Sequence, residues 1–320
     1  MRWLALLASI ASFAGATVAR ADYPDRPVRI VVGFTAGGSP DTTARRVAQR
    51  LTSELGQQFV VENKPGAAGN IGAEFTARAA PDGYTLMMMA NSHAINPALY
   101  RQITYDPVRD FTPICLIIRG GSVMVVAKDS PAKSVAEFIA LAKANPGKLN
   151  YGSGGAGSPA HLSAEAFRLA TGIDYLHVPY RGAPEIVRAL LAGDVQVGFP
   201  TFEQALGQVQ QGSLRALATT ATKRSRLLPD VPTLVEALQP NGFALEGWLG
   251  LVAPAGTPPE VAQKISAALT NALKDPAFRQ SLESGGSEVD FQDAAAFGAM
   301  LPGEVAKWKA IVDKVGAKVE

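Results

Sequence analysis

The stretch VRIVVGFTAGGSPDTTARRVAQRLTSEL, Val28 to Leu55, decides how the rest of the chain is read. Val28-Arg-Ile-Val-Val32 is a short apolar run rich in β-branched residues, as expected of a buried strand. Gly33-Phe-Thr-Ala-Gly-Gly-Ser-Pro40 cannot continue it and reads as a loop. From Asp41 to Leu55 the residues Ala44, Val47, Ala48 and Leu51 recur at helical spacing, with Asp41 as the cap. Strand, glycine-rich loop and helix, in that order, begin a βαβ unit.

The same alternation continues on both sides. Gln58-Phe-Val-Val-Glu62 is an expected strand and Asn63-Lys-Pro-Gly-Ala-Ala-Gly69 a loop. A helix is expected over 70–78 and a strand over 85–90, ending in the polar loop Asn91-Ser92-His93. A second set starts with Val123-Met-Val-Val-Ala127. Ser134-Val-Ala-Glu137 has the capping-box form and opens a helix to about residue 144. Leu149-Asn-Tyr151 leads into a second glycine-rich loop, Gly152-Ser-Gly-Gly-Ala-Gly-Ser-Pro159, and a helix over 160–170. Strands follow at 175–178, 195–199 and 214–219, with a loop at 179–182 and a helix at 183–191. From Pro258 onward the chain reads as three helices: 258–273, 276–282 and 294–315. Repeated strand–helix alternation implies α/β architecture with parallel sheets covered on both faces. The halves are expected to be joined by short crossings near Gly120-Gly121 and Gly247-Trp248, with the C-terminal helices returning to the first half. That gives one lobe from 22–122 plus 248–320 and a second from 123–247.

The N-terminus has the layout of a secretory signal peptide: Met1-Arg2-Trp3, an apolar run over 4–18, and an Ala19-Arg20-Ala21 cleavage site. The run falls short of the roughly 20 residues a membrane span needs. Export to the periplasm with cleavage after Ala21, residues 1–21 being the signal peptide, is the expectation. The chain has 30 basic and 28 acidic residues. Losing Arg2 and Arg20 balances them, so a nucleic-acid surface is not expected. Cys115, the only cysteine, lies in the apolar run 113–118 and reads as a buried small hydrophobe.

The two glycine-rich loops carry the functional argument. Each follows a strand and precedes a helix, so each sits at the carboxyl edge of a parallel sheet, where ligands bind. Glycines allow close backbone approach, and the first helical turn offers unpaired N–H groups and a dipole that favours an anion. Ser39, Thr42, Ser153 and Ser158 add hydroxyls. Gly152-Ser-Gly-Gly-Ala-Gly157 also matches the dinucleotide pattern G-x-G-x-x-G, with Asp174 as a possible acid; it lies outside the first strand of the chain, and an exported protein has no routine supply of dinucleotide. The three histidines, His93, His161 and His177, lack metal-ligand spacing, so neither metal nor cofactor is expected. Ser158 and His161, three apart, leave a hydrolase pair open. The alternative makes His161 a polar group lining the cleft or a structural histidine. His177, within an apolar strand, is expected in the core or on a sheet face. Arg181 could fork onto a carboxylate, or pair with Glu185 at the surface. Trp248 could close the cleft or pack beside the hinge.

Several longer stretches resemble the tripartite tricarboxylate transporter receptors, the Bug or TctC family. They are YPDRPVRIVVGF from Tyr23, AGGSPD from Ala36, ENKPGAAGNIG from Glu62, YGSGGAGSPAHL from Tyr151, VPYRG from Val178, PDVPTLVE from Pro229 and WLGLVAPAGTP from Trp248. The resemblance implies a type II periplasmic-binding fold of two α/β lobes with a hinged cleft, and a receptor rather than an enzyme. It implies that the loops at 34–39 and 153–158 hold a ligand carboxylate. The expected ligand-binding residues are Phe34, Ala36, Gly37, Gly38, Ser39, Asn91, Ser92, Ser153, Gly154, Gly157, Ser158, His161, Tyr180, Arg181 and Phe199. Many relatives carry an acid after the strand that ends at Phe199; this chain has Pro200-Thr201, which argues against a ligand amino group. The expected ligand is a dicarboxylate or aromatic carboxylate. Membrane transporter subunits or a sensor kinase are the expected partners of a monomeric receptor.

Overall fold

The computed structural model describes residues 23–155, 157–180 and 183–316. The expected signal peptide, Arg181 and Gly182 lie outside them. In chain order the elements are β1 Val28–Val32, α1 Ser39–Leu55, β2 Phe59–Asn63, a 3-10 turn Ala67–Gly69, α2 Asn70–Ala77, β3 Thr85–Ala90 and α3 Ser92–Leu99. Next come β4 Phe111–Gly121, β5 Val123–Ala127, α4 Val135–Ala144, β6 Asn150–Ser153, α5 Pro159–Thr171, β7 Leu176–Pro179 and α6 Ala183–Ala192. The remainder is β8 Val197–Gly198, α7 Phe202–Gln210, β9 Leu214–Thr219, α8 Leu234–Ala237, β10 Glu246–Pro254, α9 Pro259–Ala272, α10 Pro276–Glu283, β11 Glu288–Gln292 and α11 Ala294–Val315.

The strands form two sheets, in the orders β11-β4-β10-β3-β1-β2 and β7-β6-β8-β5-β9. Both are mixed, which corrects the expectation of parallel sheets. In the first, only β2-β1-β3 is parallel, and β10 runs antiparallel to both β3 and β4. In the second, β7-β6-β8 is parallel and β5 opposes β8 and β9. Apart from β11, which pairs antiparallel with β4, the antiparallel pairings involve the strands that carry the chain between the sheets. Strand β4 leaves the first sheet at Gly121 and β10 re-enters at Glu246, paired with Gly121, so the outgoing and returning strands run opposite ways. The parallel triplets are the two βαβαβ units legible in the sequence, and their order is the same: third, first, second.

Each sheet has apolar layers on both faces. Helices α1 and α9 cover one face of the first sheet through Val47, Leu51, Ile265 and Leu269, packed on Ile30, Val32 and Met88. Helices α3 and α11 cover the other through Ile95, Leu99, Trp308 and Val312. Trp248 is a core residue, 2% exposed; its ring meets Phe297 edge-on and its Nε1–H donates to Glu304 Oε2 at 3.0 Å. Cys115 is buried in β4, where desolvation pushes its thiol up to about 12. The second sheet packs Phe138 and Phe167 on one side and Ile186 and Leu190 on the other. Among the described residues no helix is long and apolar enough to cross a membrane.

Glycines bring the first sheet and its loops into backbone contact. A Cβ on Gly33 would lie 2.8 Å from Gly69 Cα, and one on Gly72 would lie 2.9 Å from Gly33 Cα. Both obstacles are backbone, which has little room to yield. Gly33→Ala is therefore expected to destabilise the protein by about 1–3 kcal/mol, read as a lower urea midpoint at unchanged slope. A midpoint within error of the parent contradicts this packing.

Candidate functional site

The first glycine-rich loop leaves the carboxyl end of β1. Helix α1 begins at Ser39, two residues before the expected start, because Gly38 rather than Asp41 occupies the N-cap and Pro40 fits the first turn. Asp41 instead reaches back. Its Oδ2 accepts from Gly37 N–H at 2.9 Å and its Oδ1 from Asn63 Nδ2 at 2.9 Å. Asn63 Nδ2 also donates to Phe34 O at 3.0 Å, so one amide ties both ends of the loop. Arg45 Nε donates to Asp41 Oδ2 at 3.0 Å and offsets the charge. Burial alone would raise the Asp41 pKa, but the bonds from Arg45, Gly37 and Asn63 hold it below the usual value. Gly38 has no side chain to cap the helix, so the first-turn amides of α1 keep their capacity for an anion. Ala36, Gly37 and Gly38 are exposed and Ser39 is half-buried.

The neighbouring strand β3 ends in the same region. Asn91 and Ser92 are half-buried where a polar loop was expected; they open helix α3 instead. Asn91 N–H donates to Trp248 O at 3.2 Å. His93 is fully buried, its Nδ1 held by the backbone of Ala90 and its Nε2 facing Gly69 without hydrogen-bond geometry. Burial lowers its pKa, so it is neutral at pH 7. The Phe34 ring lies edge-on to it at 6.3 Å.

The second glycine-rich loop leaves β6. Ser158 caps α5, its Oγ accepting from His161 N–H at 3.3 Å. That is a backbone cap, and the His161 ring turns elsewhere: its Nδ1 accepts from Gly157 N–H at 3.1 Å. Ser153 is fully buried, with Oγ 2.5 Å from His177 Nε2 and 3.1 Å from the Gly155 N–H that donates to it. His177, half-buried on the edge strand β7, thus fixes the start of this loop. Tyr180 N–H donates to Ser153 O at 2.8 Å. Gly154 is exposed, whereas Gly157 is buried with φ +75° and would place a Cβ 2.4 Å from Leu99 of α3. Phe199 is 1% exposed and packs on Phe167 at 6.0 Å, within the core of the second sheet.

The expected site residues therefore form two groups, one at each sheet edge. Phe34, residues 36–39, Asn91 and Ser92 gather at the first. Ser153, Gly154, Gly157, Ser158, His161, Tyr180 and Phe199 gather at the second, where Gly157 packs against Leu99 at the far end of α3. Ser39 also lines a 190 Å³ cavity with Thr42 and Arg46 of α1 and Glu203 and Gln210 of α7. Sequence reading missed α7, Arg46 and the loop-holding roles of Asp41, Asn63 and His177. The Asn63 amide could have been suspected from its place at the end of an apolar strand; the Ser153–His177 pair left no local signal. Among the described residues no three His, Cys, Asp or Glu side chains gather as metal ligands.

A family model described as "Tripartite tricarboxylate transporter family receptor" matches residues 43–317. Among solved structures, an R. palustris protein with adipate, Rpa4515, is 35% identical with a TM-score of 0.82, covering 93% of this chain and 100% of that one. The periplasmic binding protein BugD is 34% identical with a TM-score of 0.78 and the same coverage. MatC from Rhodopseudomonas palustris, with bound malate, is 32% identical with a TM-score of 0.76, covering 91% of this chain and 100% of that one.

Replacing Asp41 by Ala leaves the Gly37 N–H and the Asn63 amide without their acceptor. A loss of about 1–3 kcal/mol is expected at pH 7 by denaturant titration. Because the folded pKa is depressed, the Asp41 contribution is fully present above the ordinary carboxylate value and fades only as pH falls through its lower folded value. The parent and Asp41→Ala curves should therefore converge in strong acid and stay apart at neutral pH.

Proposed function

The chain belongs to the tripartite tricarboxylate transporter receptor family, whose members are substrate-binding proteins and not enzymes, and on that premise we propose that it captures a small carboxylate in the periplasm for a membrane transporter. The observation that carries the reading is the loop 34–38, exposed at 35–38. It is glycine-rich, tied down from beneath by Asp41 and Asn63, and opens onto a helix N-terminus with no side-chain cap. Backbone amides in that arrangement accept an anion without needing a fixed positive side chain.

The second loop faces the same task from the other sheet. In this reading the first sheet and its helices form one lobe and the second sheet and its helices the other, the chain returning to the first at Glu246 rather than at 248, and the two close over the ligand. Export with cleavage after Ala21 places the receptor where such a ligand is met. The adipate and malate bound by the two R. palustris relatives support a dicarboxylate. Pro200 and Thr201 support a ligand without an amino group. Pro200 is buried and Thr201 caps α7, so neither position supplies a carboxylate to a cation.

A thermal-shift screen of aliphatic and aromatic carboxylates, amino acids, amines and sugars tests the reading. A ligand at about 100 times its Kd should add roughly 2.7 kcal/mol of stability, a shift of a few degrees in Tm. Stabilisation by amines or sugars with none by any carboxylate sinks the proposal. Arg181, which follows β7 in the sequence, is the proposed second anchor. Arg181→Ala should weaken adipate by about tenfold or more while changing a monocarboxylate such as hexanoate little. Equal losses for both would remove Arg181 from the site.

A further inference from the structure

The second glycine-rich loop is held by an imidazole in one protonation state. Gly157 N–H donates to His161 Nδ1 at 3.1 Å, so that nitrogen carries a lone pair and no proton. Gly157 has little freedom to turn away, being buried, at φ +75°, and packed against Leu99. The His161 ring is itself confined. It is 8% exposed, with the Tyr151 ring nearly parallel at 6.3 Å and the His177 ring at 4.5 Å. His177 is fixed in turn by Ser153 and by stacking on Tyr151 at 4.9 Å.

The titratable groups acting on His161 are His177 from β7, Tyr151 from β6 and Glu165 on its own helix. The Glu165 carboxylate is already engaged, accepting from the Tyr151 hydroxyl at 2.7 Å and from Arg168 Nε at 2.8 Å. Helix α3 meets this end of α5 with Leu99, and α11 packs on α5 around Leu162. Neither apolar contact offers compensation for a cation.

We propose that His161 is a positioning residue for ligand binding: while neutral it holds Gly157, and with it the loop 153–158, in the ligand-accepting form, and its protonation releases that loop. The inference rests on the reading of this loop as part of the carboxylate site. A proton on Nδ1 would set two donors face to face and place a cation against His177 in a buried pocket. Burial first, and then His177, bring the His161 pKa down to about 4, so the release belongs to acid conditions. The loop 34–38 lacks this sensitivity, because its tie is a carboxylate whose pKa is depressed. Acidification thus loosens one half of the site and leaves the other formed.

The test needs no ligand at first. Hydrogen exchange of a peptide containing 153–161 is followed in the ligand-free protein from pH 7 to pH 3, corrected for intrinsic exchange, alongside the His161 ring-proton signal by NMR. Protection should fall by about tenfold, the scale of one hydrogen bond, with the midpoint of the His161 titration. His161→Asn keeps an acceptor near the Nδ1 position but does not titrate, so its protection should stay flat. His161→Leu should be unprotected throughout. With adipate as the probe, the affinity of the parent relative to His161→Asn should fall by about tenfold between pH 7 and acid pH; the protonation of adipate itself cancels in the ratio. Flat protection in the parent, an equal fall in His161→Asn, or a midpoint that departs from the His161 titration overturns the proposal. The midpoint comparison decides even if the variants do not fold. Failure of adipate to bind at pH 7 counts against adipate as the ligand, while the exchange data still judge His161.

Discussion

A loop of glycines can present its backbone to a ligand only if something else holds it still. Here that constraint is met from below, by side chains rooted in the neighbouring strand and helix. The carboxylate of Asp41, in the first turn of α1, takes the Gly37 N–H, and Asn63 at the end of β2 binds both that carboxylate and the Phe34 carbonyl. The entropy that glycine would otherwise cost is spent on a conformation already selected. The negative charge beneath an anion site is tolerable because Arg45 pairs with it and because its lone pairs face inward.

The second loop solves the same problem with different chemistry. Ser153 and His177 fix its start, and His161 fixes its end. The two units share a strand order and a strand–loop–helix plan, yet one is secured by a carboxylate and the other by imidazoles. Two related halves thereby acquire different responses to protons, without any change in the backbone plan that offers amides to the ligand.

How far the sequence reveals this depends on how local each signal is. Helix α11 was read to its final residues, and α4 was legible from Ser134 and Glu137, since caps and periodicity lie within a few positions. Helix α3 was hidden by its polar start and by Pro97. Strand β10 was not read because Gly247, Gly250 and Pro254 weaken its pattern; Gly250 is needed there because the Phe297 ring occupies the place of a Cβ, 2.6 Å away. The glycine-rich loops were visible, but the side chains that hold them were not. Ser153 and His177 are 24 positions apart and meet only through the register of β6 with β7.

The insertion of β10 between β3 and β4 also governs the order of assembly. Ala90 pairs with Leu249, 159 residues further along the chain. Until β10 arrives, β3 ends the βαβαβ unit as an open edge. Closing so long a loop is slow compared with local helix and hairpin formation. The first sheet is therefore completed only when the last quarter of the chain is present. A polypeptide that completes its first sheet last keeps that sheet's edge open for longer than one built from two independent halves.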